Sequence, residues 1–214
     1  MKITKYGHCC FLVEERGLRI LFDPGIYSSG QEAVRDLDIL LITHSHTDHF
    51  DVQSFQRIVA NNPKATVITN SEVGKELEKI AMPFIILENG DKIQEKGLTI
   101  EAFGNEHAPQ YPTLPIAHNT GYFIADKLFF PGDAFTIPSK KVEILALPVS
   151  GGWMKLSEAI DYAKKINPSI CFPVHDGMLK RITSTNTIPP KILTPLGIKW
   201  IVPEDGKLID FELQ

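Results

Sequence analysis

Three of the chain's seven histidines lie within one short stretch, at His44, His46 and His49, and Asp48 stands just before the last of them. In an extended segment, side chains at positions i and i+2 point to the same side, so His44 and His46 can bind one ion together. Where the chain turns, Asp48 and His49 can offer a carboxylate and an imidazole to a neighbouring ion. Neutral imidazole suits zinc and related transition metals, and a carboxylate adds negative charge. The spacing therefore predicts a metal site, against the alternative of a polar loop with incidental histidines.

The residues around this stretch predict how it is held. Residues 38–43 form a continuous apolar run, which is typical of a strand covered on both faces. Residues 51–61 carry apolar side chains at helical spacing, with Asp51 available as the N-cap. The four candidate ligands are therefore expected at a junction between a buried strand and a helix.

The rest of the chain alternates short strand patterns with helical ones. Further strands are predicted at 3–5, 9–14, 18–22, 65–69, 84–87, 98–103, 120–125, 127–130, 142–147 and 169–174, and as a terminal pair at 199–202 and 207–213. Further helices are predicted from Ser71 to Ile80, at 155–166 and near 190–196. Because no linker rich in Pro, Gly or Ser divides the chain, we expect one domain over residues 1–214. Strands with interspersed helices favour the α/β or α+β class.

Composition and charge exclude several classes of protein. With 43% hydrophobic and 22% charged residues, the chain is neither disordered nor collagen-like nor a coiled coil. The net charge of -4 argues against nucleic acid as a partner, and the apolar runs are too short for a membrane helix. The first residues lack the apolar segment of a signal peptide, and the three cysteines form no CxxC pair. We therefore expect reduced thiols, a cytoplasmic location and a small-molecule substrate, with a homo-oligomer left open.

The stretch from His44 to His49 resembles the HxHxDH signature of the metallo-β-lactamase superfamily, and the resemblance extends over nearly the whole chain. Three further segments match that family's order of ligands: Asn105-Glu106-His107, Phe130-Pro131-Gly132-Asp133 and Phe172-Pro173-Val174-His175. The segments Tyr6-Gly7-His8 and Asp23-Pro24-Gly25 are similar to the small lactonase-type branch of the family, that of L-ascorbate-6-phosphate lactonase. The resemblance implies a four-layer αββα sandwich, in which two mixed sheets are flanked by helices.

The resemblance also implies a metal centre with seven ligands: His44, His46 and His107 at a first site, Asp48, His49 and His175 at a second, and Asp133 as the bridge. Two divalent ions are implied. Zinc is the first choice, and manganese, iron and nickel stay open because nitrogen and oxygen ligands accept all of them. Two ions about 3.5–4 Å apart share a hydroxide whose pKa is lowered toward neutrality. The implied activity is attack by that hydroxide on a small ester, lactone or phosphodiester.

Four other residues have more than one interpretation. His118 competes with His107 as the third ligand of the first site, or else faces the substrate or is a loop histidine. We favour His107 because it follows a predicted strand directly, and rigid elements hold ligand geometry better. His8 is either a polar residue of the first strands or lies near the metal. Asp23 either accepts the second N–H of a ligand histidine or is a turn carboxylate. Trp153 either covers the substrate or packs in the core.

The resemblance suggests catalytic roles for Asp48, Asp133 and His118. The proton for the leaving group stays open among His118, Asp48 and His8. Loops 26–34, 110–119 and 150–155 are expected to shape the pocket, although they do not identify the substrate.

Two alternative functions remain. A phosphodiesterase or nuclease of the same superfamily is disfavoured by the negative charge and the lack of a Lys/Arg cluster. A non-catalytic metal-binding protein that kept the fold is the other, because a fold does not guarantee chemistry.

Overall fold

A computed structural model describes residues 1–211, and two seven-stranded sheets pack face to face in it. The strands are Lys2–Lys5 (β1), Phe11–Glu15 (β2), Leu18–Phe22 (β3), Ile39–Leu41 (β4), Thr66–Thr69 (β5), Ile85–Ile86 (β6), Lys92–Glu95 (β7), Leu98–Phe103 (β8), Gly121–Ile124 (β9), Leu128–Phe130 (β10), Ile144–Pro148 (β11), Ile170–Val174 (β12), Lys199–Trp200 (β13) and Leu208–Asp210 (β14). The helices are Val52–Asn61 (α1), Ser71–Lys79 (α2), Leu156–Ile166 (α3) and Thr183–Leu193 (α4), with 3-10 turns at Gln31–Ala33 and Thr194–Leu196.

Both sheets are mixed. The first has the order β14-β1-β2-β3-β4-β5-β6, in which β3 to β6 are parallel and β14, β1, β2 and β3 pair antiparallel. The second has the order β13-β12-β11-β10-β9-β8-β7, in which β10 to β13 are parallel and β7 to β10 pair antiparallel. Each sheet therefore combines a meander with parallel crossovers, and the crossovers contain the helices.

Aromatic side chains join the two sheets at the centre of the core. The rings of Phe11 and Phe22, from neighbouring strands of the first sheet, stack with their centroids 4.5 Å apart. Phe130 and Phe172, from the second sheet, contact Phe11 edge to face at 5.3 and 5.5 Å. Offset and edge-on pairs of this kind add to the gain from burial. Because Phe22 and Phe130 are the last residues of β3 and β10, this packing fixes where the loops after those two strands begin.

Helices cover the outer face of each sheet. Phe55 and Ile58 of α1 and Val73 and Leu77 of α2 are buried against the first sheet. Ala159 and Ala163 of α3 are buried against the second sheet, as is Leu193 of α4. The predicted four-layer arrangement of two mixed sheets flanked by helices is confirmed. Among the described residues, every helix is too short or too polar to cross a membrane.

The sequence predictions fail at the end of the chain. The predicted terminal strand pair is wrong, because β13 joins β12 in the second sheet whereas β14 joins β1 in the first. The helix predicted near 190–196 begins earlier, at Thr183, because Pro189 and Pro190 lie inside the helix rather than at its start. The edge strand β7 was not predicted, since its mostly exposed residues show no apolar alternation. Residues 212 and 213 of the last predicted strand lie outside the described residues.

Candidate metal centre

The candidate ligands lie in loops that follow strands of both sheets, at one edge of the sandwich. The stretch from His44 to His49 follows β4, and Asp51 caps α1 by accepting a hydrogen bond of 3.0 Å from the Ser54 N–H. His107, Asp133 and His175 follow β8, β10 and β12. Their donor atoms form three groups, within each of which the atoms lie within 4.8 Å of one another: His44, His46 and His107; His8, Asp48, His49 and His175; and Cys9, His49 and Asp133.

The first group contains three imidazoles. Nε2 of His44 lies 3.1 Å from Nδ1 of His46, and the ring centroids of His46 and His107 lie 4.8 Å apart. Nδ1 of His44 and Nδ1 of His107 each contact a polar group outside this group of ligands. Nδ1 of His44 lies 3.0 Å from the Thr43 hydroxyl oxygen, and Nδ1 of His107 donates to the carbonyl of Ala108. Such contacts fix the tautomer and the orientation of a ligand histidine.

The second group is arranged around the half-buried carboxylate of Asp48. Its Oδ2 lies 3.2 Å from Nε2 of His8, 3.6 Å from Nε2 of His175 and 4.0 Å from Nε2 of His49. The three histidines are buried. The sequence left the position of His8 open, and the structure brings it into this group, whereas His118 lies in neither group.

Asp133 lies between the two histidine groups. Its Oδ2 is 3.3 Å from Nε2 of His107 and 2.8 Å from Nε2 of His175, and its Oδ1 is 3.1 Å from Nε2 of His49. Burial raises the pKa of a carboxyl group, but His49 and His175 outweigh this effect and hold the pKa of Asp133 well below its usual value. Asp133 is therefore a buried carboxylate in contact with histidines of both groups.

Two polar side chains hold Asp133 in place. Its backbone N–H donates a 2.9 Å hydrogen bond to Oδ1 of Asn119, and the indole N–H of Trp153 donates one of 2.9 Å to its Oδ2. Gly132, which precedes it, has a φ of 65°, and a Cβ there would lie 2.2 Å from Oδ1 of Asn119. Only glycine fits this approach. The structure thus places Trp153 against the metal centre, although its ring also packs on Phe135, with centroids 5.3 Å apart.

Asp23 holds His49. Its Oδ2 accepts a 2.7 Å hydrogen bond from Nδ1 of His49, and it also accepts from the backbone N–H and the hydroxyl of Thr43 at 2.8 and 2.6 Å. Since the Thr43 hydroxyl proton goes to Asp23, its oxygen is free to accept from Nδ1 of His44. Asp23 and Thr43 therefore orient one histidine from each group. No feature of the sequence singled out Thr43.

His118 lies beside the metal loop rather than in it. Its backbone N–H donates to Oε2 of Glu72 at 2.9 Å, and Oε1 of Glu72 accepts a 2.6 Å hydrogen bond from the hydroxyl of Ser45. Glu72 thereby joins the loop of His118 to the segment between His44 and His46. Glu72 could not be singled out from the sequence, since an acidic residue in the first turn of a helix is common.

Cys9 is buried below the centre, and Cys10 points into the outer layer of the first sheet. This agrees with the expectation that only one of two neighbouring strand residues reaches the site. Burial raises the pKa of the Cys9 thiol to about 12, so the thiol is protonated at neutral pH.

The polar atoms at the centre fit divalent cations. Nε2 of His49, His107 and His175 face oxygens of Asp133 at 2.8–3.3 Å, but these contacts lack hydrogen-bond geometry. The three nitrogens and Oδ1 of Asp133 are therefore buried without a hydrogen-bond partner among residues 1–211. Buried polar atoms without partners are costly. Burial disfavours a charge on His49, yet the carboxylates of Asp133 and Asp23 raise the pKa of His49 well above its ordinary value. The buried carboxylates thus require positive charge at this place, and nitrogen and oxygen ligands of this kind suit divalent transition metals.

Known proteins share this architecture. Residues 2–175 match the family model of the beta-lactamase superfamily domain. The chain is 35% identical to protein Rv0786c of Mycobacterium tuberculosis over an alignment of 184 residues. This alignment covers 84% of this chain and 85% of that protein. It is 25% identical over 222 residues to the UPF0173 metal-dependent hydrolase MJ1163 of Methanocaldococcus jannaschii, covering 97% and 99%. Igni18, a metallo hydrolase from Ignicoccus hospitalis, has the same fold with a TM-score of 0.75 at 21% identity, covering 100% of this chain and 99% of Igni18.

Proposed function

The chain belongs to the beta-lactamase superfamily, and we propose that it is a metal-dependent hydrolase. It binds two divalent ions, for which zinc is the first choice. Its substrate is a small ester, lactone or phosphodiester. The contacts of Asp133 support this most directly, because one buried carboxylate lies within 3.3 Å of His107 from the first group and of His49 and His175 from the second. A carboxylate so placed can serve two ions at once.

The first two groups of donor atoms would each hold one ion. His44, His46 and His107 form the first site and Asp48, His49 and His175 the second, with Asp133 shared. When bound, two such ions supply a hydroxide nucleophile at neutral pH and polarise the oxygen of the bond that is cleaved.

The protein itself keeps the ligands oriented, so that little reorganisation accompanies the reaction. Asp23 and Thr43 hold the rings of His49 and His44, and Trp153 and Asn119 hold Asp133. We assign the leaving-group proton to the ring of His118. Its Nε2 is buried without a hydrogen-bond partner within the described part of the chain, and this ring is in neither group of candidate ligands. Asp48 and His8, the other two candidates, contact each other.

A recess of about 430 Å³ beside the centre supports a small organic substrate. Trp153 forms one wall and also donates to Asp133, so the recess and the ligands share a side chain. Pro109, Phe135, Ile137 and Tyr162 add apolar surface, Glu158 and Asp161 add two negative charges, and Lys165 adds one positive charge. Apolar walls with a few polar groups are typical of small-molecule sites. A nucleic acid is disfavoured here, because its phosphates need a cluster of positive charge and the recess has a single lysine.

A larger cavity, of about 580 Å³ near Asp36 and Lys96, is lined by none of the candidate ligands, and we therefore place no substrate there.

We also propose a cytoplasmic location. Cys9, Cys10 and Cys171 are free and buried, as expected for a chain that remains reduced.

The test is a substrate panel with metal analysis of the same preparation. Phosphodiesters, lactones, carboxylic esters and thioesters are offered to the metal-loaded protein, and we expect hydrolysis of at least one class. Asp133→Ala should abolish that activity and lower the metal content, whereas Asp126→Ala, at an exposed turn, should do neither. Full metal loading without hydrolysis of any class would favour a non-catalytic metal-binding protein. A preparation that binds no metal would overturn the proposal.

A further inference from the structure

His8 lies in the turn between β1 and β2, which is distant in sequence from every segment that carries the candidate ligands. Its backbone has a φ of 49°, in the left-handed region, and its side chain is fully buried. Such a conformation persists in a residue other than glycine only where the surroundings enforce it. The contacts of His8 show what that conformation achieves.

Both ring nitrogens of His8 are engaged. The backbone N–H of Gly177 donates to Nδ1 at 3.1 Å, and a backbone N–H can only donate. Nδ1 must therefore accept, and the proton of the neutral ring is on Nε2. Nε2 faces Oδ2 of Asp48 at 3.2 Å and donates to it. In this tautomer neither nitrogen of His8 has a lone pair free for a metal ion.

His8 also holds the loop of His175. The backbone N–H of His175 donates to the carbonyl of His8 at 3.2 Å, and the two rings lie 4.2 Å apart. His175 needs this support, because its own φ is 61° and its Nδ1 has no hydrogen-bond partner among residues 1–211. His44, His49 and His107, in contrast, are each held through Nδ1 by another group.

Gly177 is fitted to this arrangement. A Cβ at Gly177 would lie 2.9 Å from Cβ of His8 and 2.9 Å from the carbonyl oxygen of Tyr27. A larger residue would therefore push its N–H away from the imidazole. The close approach of Gly177 is what brings a backbone donor to Nδ1 of His8.

We propose that His8 is a positioning residue rather than a metal ligand, and that it sets the affinity of the second ion by orienting Asp48 and His175. The inference rests on the proposed two-ion centre. His8 donates one hydrogen bond to the carboxylate, and its carbonyl accepts one from His175. It thereby ties a turn of the first sheet to a ligand loop of the second.

The test is a Co²⁺ titration of the metal-free protein, followed by visible absorption with a competing chelator. We expect two ions in the wild type. In His8→Ala the second ion should bind about 10–100-fold more weakly while the first is unchanged, as is usual when a group that supports a ligand is lost. His8→Gln should recover most of the affinity, because its amide N–H reaches the place of Nε2. Gly177→Ala should resemble His8→Ala, and Tyr6→Phe, in the same turn, should resemble the wild type.

The outcomes separate the possibilities. If His8→Ala binds both ions as the wild type does, the positioning role is overturned. If His8→Gln is as weak as His8→Ala, the imidazole itself binds the metal and the inference is equally wrong. Far-UV circular dichroism of the metal-free variants shows whether each is folded, and Gly177→Ala supplies a second variant that leaves His8 in place. A wild type that binds fewer than two ions contradicts the proposed two-ion centre and, with it, this inference.

Discussion

The indole N–H of Trp153 donates a 2.9 Å hydrogen bond to Oδ2 of Asp133, the same oxygen that lies 2.8 Å from Nε2 of His175. The loop that follows β11 thus reaches the carboxylate on which both groups of candidate ligands converge. Trp153 also lines the recess beside the centre. A change at Trp153 can therefore affect both the metal centre and the binding of substrate, and the two effects can be separated.

Trp153→Phe keeps an aromatic wall but removes the N–H. We expect kcat/KM to fall by about 10-fold, mainly through kcat, because the carboxylate loses a donor that orients it. Steady-state kinetics on the substrate found in the panel measures this. Trp200→Phe, a tryptophan of β13 outside the recess and outside the candidate ligand groups, is the matched control and should be silent. An unchanged kcat in Trp153→Phe would show that the hydrogen bond from Trp153 to Asp133 does not contribute to catalysis.

Asp23→Asn removes the charge that faces Nδ1 of His49. We expect metal affinity to fall about 10–100-fold, because the carboxylate raises the basicity of a ligand histidine. Competition with a chromogenic chelator measures the loss. Asp126→Asn, on an exposed turn, should bind metal as the wild type does. If Asp23→Asn binds metal as tightly as that control, Asp23 is only a turn carboxylate and does not support metal binding through His49.

Removal of the metal should destabilise the protein. Each ion that binds only the folded chain adds about 4 kcal/mol to the free energy of unfolding at a concentration a thousandfold above its Kd. Thermal unfolding with and without a chelator measures the shift, and readdition of Zn²⁺ should restore the melting temperature. The Asp133→Ala protein should show a much smaller shift. Equal shifts in the two proteins would place the bound metal elsewhere.

His118→Ala tests the leaving-group acid. Substrates with good leaving groups need no proton donor, whereas those with poor leaving groups do. We therefore expect a loss of about 100-fold in kcat for alkyl esters and a small loss for nitrophenyl esters, so that the ratio of the two substrates serves as an internal control. A uniform loss across leaving groups would assign His118 to substrate binding or to structure.

The sequence predicted the local parts of this centre well. The spacing of His44 and His46 is a property of one extended segment, and the cap at Asp51 depends only on the next three residues. Membership of the superfamily was predicted from that stretch together with His107, Asp133 and His175, and it is confirmed. These three distant residues could be assigned only from the family's order, because strand pairing across the chain leaves no local pattern.

The contact of Asp23 with a ligand histidine was one of its two interpretations from the sequence. The other supporting contacts could not be predicted, for the same physical reason. Whether Trp153 would reach the centre or the core depended on packing between a loop and a distant strand end. The contacts of His8 depend on two backbone conformations with positive φ, at His8 and His175, and on the close approach of Gly177. None of these is visible as spacing or composition. The pairing of the terminal strands was predicted wrongly for the same reason, since β14 pairs with β1 from the opposite end of the chain.

The proposed role of Asp133 is to join two metal sites. A crystal structure of the zinc-loaded protein, with anomalous difference maps at the zinc edge, tests this role. We expect two peaks about 3.5–4 Å apart, one among His44, His46 and His107 and the other among Asp48, His49 and His175, with the Asp133 carboxylate bound to both. A single peak, or two peaks that do not share Asp133, would contradict it.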